Sequence, residues 1–60
     1  MPVITIEMWD GRTLEQKRKI VKGITSVMGE IGIPAEAVQI IIKDVPKHNW
    51  GIAGKLASDE

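Results

Sequence analysis

Val3-Ile4-Thr5-Ile6-Glu7-Met8-Trp9, followed at once by Asp10-Gly11-Arg12-Thr13-Leu14-Glu15-Gln16, decides the fold. The first run is rich in β-branched residues and alternates in character. Ile4, Ile6 and Met8 point one way, and Val3, Thr5, Glu7 and Trp9 the other, which predicts a strand with one wholly apolar face. Asp10-Gly11 is a turn signal. Thr13 and Gln16 have the spacing of a capping box, in which the Thr13 hydroxyl accepts from the Gln16 N–H and the Gln16 side chain accepts from the Thr13 N–H. A helix is therefore expected to start directly after Thr13.

Downstream, Ile20, Val21, Ile24, Val27, Met28 and Ile31 recur as the stripe of an amphipathic helix lying on a sheet, while Lys17, Arg18, Lys22, Ser26 and Glu30 fall largely outside it. Gly32 suits a left-handed cap and Pro34 prevents continuation, so the helix is expected to end near Ile31. Val38 to Asp44 reads as a second strand, with Val38, Ile40 and Ile42 on one face and Gln39, Ile41 and Lys43 on the other. A strand, a helix and a strand in this order make a right-handed β-α-β unit whose strands run parallel. From Val45 to Gly54, turn residues bracket a short apolar piece, which predicts a C-terminal β-hairpin, with Leu56 as its anchor and Ser58, Asp59 and Glu60 frayed. The fold class is thus α/β: a single β-α-β unit plus a hairpin, one domain over residues 1–60.

A chain of 60 residues buries only about 60% of its unfolded surface. It has no cysteine to staple it and a lone histidine, His48, so no metal site is expected and self-association is the remaining way to complete a core. The helix-free sheet face carries Val3, Thr5, Trp9 and Ile41 beside Glu7, Gln39 and Lys43, and a two-stranded sheet needs a cover. Eight basic and eight acidic side chains cancel, which argues against nucleic acid as a partner. The basic group Arg12, Lys17, Arg18, Lys19 and Lys22 spreads around the helix and reads as a solvated face. No signal segment opens the chain and no apolar run approaches the ~18 residues of a membrane span. A soluble cytoplasmic protein is expected.

The signals for chemistry are few. Gly51-Ile52-Ala53-Gly54 has neither the phosphate-loop nor the dinucleotide pattern, His48 has no nucleophile motif beside it, and the carboxylates show no spacing that marks acid–base work. Pro2 stands apart. After removal of Met1 it carries a secondary terminal amine, and terminal amines titrate near ~8, so a modest shift makes one a base at neutral pH. A proline is also simply tolerated at the first position of a strand.

Three pieces in order resemble the 4-oxalocrotonate tautomerases of the tautomerase superfamily: Met1-Pro2 before an apolar strand; Asp10-Gly11-Arg12-Thr13-Leu14-Glu15-Gln16-Lys17, similar to an acidic-Gly-Arg-Ser/Thr-x-Glu-Gln-Lys segment; and Trp50-Gly51-Ile52-Ala53-Gly54, similar to an aromatic-Gly-Ile-Gly-Gly hairpin. The resemblance implies a cofactor-independent isomerase that interconverts enol and keto forms of small 2-oxo or 2-hydroxy acids. It implies Pro2 as general base, Arg12 as the carboxylate anchor supplied across a subunit boundary, and Trp50 in the place of a phenylalanine in the apolar wall. It also implies a homohexamer built as a trimer of dimers. Well-known members carry a second arginine on the next strand, and the matching position here is Gln39, which has a hydrogen-bond donor but no charge. Lys43, four residues on, is a possible replacement cation. The contrasting expectation is a non-catalytic oligomeric scaffold that keeps the fold.

Overall fold

The computed structural model describes residues 2–59, so processing of Met1 and the state of Glu60 lie outside the described residues. Strand β1 (Val3–Trp9) leads through a short turn into helix α1 (Leu14–Glu30), and the chain returns through a 3-10 turn at Ala35–Ala37 into β2 (Gln39–Val45). The two strands pair in parallel, with Ile4 beside Ile40, Ile6 beside Ile42 and Trp9 beside Val45. A second 3-10 turn at Lys47–Asn49 precedes a hairpin of β3 (Gly51–Ile52) and β4 (Lys55–Leu56), paired antiparallel, and a last turn spans Ala57–Asp59. The β-α-β unit and the hairpin are those the alternation and turn signals predict.

Both helix ends follow from local chemistry. The Thr13 hydroxyl accepts from the Gln16 N–H at 3.1 Å, and the Gln16 side-chain oxygen accepts from the Thr13 N–H at 3.0 Å, so two otherwise orphaned donors are satisfied. At the other end the Gly32 N–H donates to Gly29 O (3.0 Å) and the Ile33 N–H to Met28 O (3.2 Å). That closure places Gly32 at φ +93°, a conformation that a Cβ disfavours.

The stripe on α1 divides. Ile20, Ile24 and Met28 are half-buried over the sheet, whereas Val21, Val27 and Ile31 remain exposed, Ile31 at 73%. Two strands about 5 Å apart are narrower than the apolar arc of a helix, so its flanks overhang. Lys17 joins the inward side by pairing its ammonium with Asp44 at the end of β2. The predicted anchor of the tail is also displaced by one residue: Leu56 is 42% exposed, and Ala57 is the buried residue, its N–H donating to Trp50 O at 2.8 Å.

Among the described residues Ala57 alone is buried, at 7% exposed. The radius of gyration is 14.5 Å, against about 10 Å for a compact chain of this length. Val3, Trp9 and Ile41 keep 40–54% of their surface exposed on the sheet face that α1 leaves open. Apolar surface of this extent on so thin a body calls for a cover from another molecule. Among the described residues no helix is long and apolar enough to cross a membrane.

Candidate active site

The residues that the sequence singles out fall at the two ends of the sheet. At the starts of the strands, Pro2 immediately precedes β1 and is half-buried, and its carbonyl accepts a hydrogen bond from the Gln39 N–H at 3.1 Å. Gln39 opens β2 opposite Val3, with its side chain on the helix-free face. Pro2 and Gln39, two of the residues the sequence singles out, are therefore immediate neighbours.

Arg12 and Trp50 belong to the other end. Arg12 lies three residues beyond Trp9 in the exposed turn before α1, and among the described residues it makes no ion pair. Trp50 is half-buried and meets the Trp9 ring edge-on, with centroids 6.0 Å apart and planes at 76°. The ammonium of Lys47 stands 4.8 Å from the Trp9 ring centroid, within the range of a cation–π contact. Trp9 is the residue that sequence reasoning missed. Its only signal is a bulky aromatic ending β1 on the helix-free face, next to the turn that carries Arg12.

The six steps from Val3 to Trp9 separate the two ends by about 20 Å. No side chain spans that gap, so one chain cannot bring Arg12 or Trp50 to its own Pro2. Within one chain these residues stand at opposite ends of the sheet: Pro2 beside Gln39 at one, and the Trp9–Trp50 pair with the turn that carries Arg12 at the other. In the same chain Lys43 stands apart from Pro2 and Gln39. It faces Glu7 across the sheet and lies about 13 Å along the strand from Gln39. Among the described residues no cluster of three His, Cys, Asp or Glu side chains is placed to hold a metal ion.

A family model described as "Tautomerase enzyme" matches residues 2–60. The 2-hydroxymuconate tautomerase of Comamonas testosteroni is 43% identical over 60 residues, covering 98% of this chain and 95% of that protein. The enzyme of the same description from Bacillus subtilis strain 168 is 38% identical, with 98% and 97% covered. A solved structure from work on the 4-oxalocrotonate tautomerase isozymes of Methylibium petroleiphilum superposes with a TM-score of 0.88 at 46% identity, covering 95% of this chain and 94% of that one. With a β-α-β unit, a C-terminal hairpin and a family match over nearly its whole length, the chain belongs to the 4-oxalocrotonate tautomerase family of the tautomerase superfamily and is an isomerase.

Proposed function

We propose that the enzyme interconverts enol and keto forms of small 2-oxo and 2-hydroxy acids, with the amine of Pro2, freed by removal of Met1, as the general base. In the ketonising direction Pro2 nitrogen takes the proton of the enol hydroxyl. The oxygen electron pair becomes the carbonyl π bond, the C=C pair is left on carbon, and the protonated proline delivers the same proton there. The balance needs no cofactor. Burial against apolar surface and a nearby cation both disfavour the protonated amine, which brings the base toward neutral pH, where proton transfer is most effective.

The observation that supports this reading most is the division of the site. Pro2 and Gln39 stand at one end of a sheet, Arg12, Trp9 and Trp50 at the other, and the face between them exposes apolar surface that a second copy would cover. Stacking copies lets Arg12 of one chain reach the Pro2 of another, where its guanidinium grips the substrate carboxylate through two parallel hydrogen bonds. Trp50, backed by Trp9, walls the site from water. The Gln39 amide donates to the oxygen that becomes negative in the transition state, without adding charge. A homohexamer of three dimers in the cytoplasm completes the proposal.

Ketonisation of phenylenolpyruvate tests it. Replacing Pro2 with Ala, with intact mass showing Met1 removed from both proteins, is expected to lower kcat/KM by about 10²–10⁴. An unchanged rate would remove the Pro2 amine from the mechanism.

A further inference from the structure

The Trp9 end of the sheet carries more positive charge than binding one carboxylate requires. Between the Trp9 ring and the hairpin lies an open hollow of about 580 Å³, with Trp9, Ile52 and Leu56 as its apolar surface and Lys47 and Lys55 as its charged lining. Its size falls in the range of small-molecule sites. No carboxylate lines it, and neither lysine forms an ion pair among the described residues. Of the other six cations, Lys17 is held by Asp44, Arg18 by Glu15 and Lys43 faces Glu7, while Arg12, Lys19 and Lys22 lie outside the lining of the hollow. The hollow therefore joins an aromatic surface to two ammonium groups, one of them over the Trp9 ring.

We propose that this hollow binds an aromatic ring that bears a carboxylate, and that Lys47 and Lys55 are specificity-determining residues of the enzyme. The ring lies in the apolar hollow against Trp9, and its anionic group meets the two ammoniums, Lys47 having been brought to the edge of the site by its contact with the Trp9 face. As a statement about substrate this rests on the tautomerase reading above: Arg12 takes the carboxylate next to the reacting carbons, and the lysines take a second anionic group carried on the ring. An open-chain acid lacks the ring that fills the hollow, and a neutral ring lacks the anion.

The two tryptophans of the chain both stand at this hollow or against it, so intrinsic fluorescence reports its occupancy directly. Titration of the assembled wild-type protein with benzoate is expected to give a saturable change, with benzyl alcohol and acetate each binding at least about tenfold more weakly, since each forfeits either the charge-assisted contacts or the apolar burial. Lys47 and Lys55 are both exposed, so their replacement leaves the fold intact. The doubly substituted Lys47→Ala, Lys55→Ala protein is expected to bind benzoate about tenfold more weakly, and Lys47→Arg, Lys55→Arg to restore binding. Pro2→Ala is expected to bind benzoate as wild type does, which separates this proposal from the catalytic one. No saturable signal with benzoate, or equal affinity in the double Ala protein, would overturn it.

Discussion

Ile41 sits in the middle of the sheet face that α1 does not cover, opposite Thr5, and is 48% exposed in the single chain. If that face is solvent-facing, Ile41→Asp changes stability by no more than about 0.5 kcal/mol, as surface substitutions do. If a second copy covers it, the outcome is different. Full burial of an isoleucine is worth about 1.5–3 kcal/mol, so covering the remaining half contributes about 1 kcal/mol per copy. An aspartate there forfeits that gain and adds an unpaired charge under the interface, a penalty of several kcal/mol. Together these amount to about 4 kcal/mol per copy, which weakens association roughly 10³-fold. Sedimentation and native mass spectrometry over a hundredfold range of concentration read this directly, with thermal melts alongside. The wild-type midpoint is expected to rise with protein concentration, because only the folded chain assembles. Ile41→Val, which keeps the apolar character, is expected to assemble normally. An Ile41→Asp protein with the wild-type mass and midpoint throughout would refute the covered face and, with it, a site shared between chains.

Two other substitutions probe separate links. Arg12→Ala removes a charge-assisted, bidentate carboxylate contact worth about 1.5–3 kcal/mol, so kcat/KM for phenylenolpyruvate is expected to fall about 10–150-fold with an unchanged melting midpoint, as measured by steady-state kinetics and calorimetry. Thr13→Ala removes the hydroxyl that accepts from the Gln16 N–H and leaves the backbone arm to the Gln16 side chain in place; it is expected to cost about 1 kcal/mol, read as a lower thermal midpoint.

Much of the fold was legible because its signals are local. The alternation of Val3 to Trp9 assigns both sheet faces, and the Thr13 and Gln16 spacing sets the start of α1 to the residue. Gly32 closes that helix for the reason its position suggests, freedom at positive φ. What was not legible depends on the width and the neighbours of the sheet. Periodicity cannot tell Ile24, which faces the two strands, from Val27, which overhangs them, because both lie on one apolar arc. Ala57 rather than Leu56 anchors the tail because a backbone hydrogen bond to Trp50, not hydrophobicity, sets the approach. In the candidate site the motifs pick out Pro2, Arg12, Gln39 and Trp50. Only the three-dimensional arrangement separates them into two ends of a sheet, brings Trp9 to Trp50 and sets Lys43 away from Gln39.

Everything catalytic in this account depends on the nitrogen of Pro2 being a free amine in a dry, cation-bearing environment. Titration of the assembled enzyme labelled with nitrogen-15 at proline, followed by NMR, observes that atom. A single transition well below the ~8 of an ordinary terminal amine is expected, moving back toward that value in Arg12→Ala as the neighbouring cation is lost. A Pro2 nitrogen that does not titrate because Met1 remains attached, or one that titrates at the ordinary value and ignores Arg12→Ala, would contradict it.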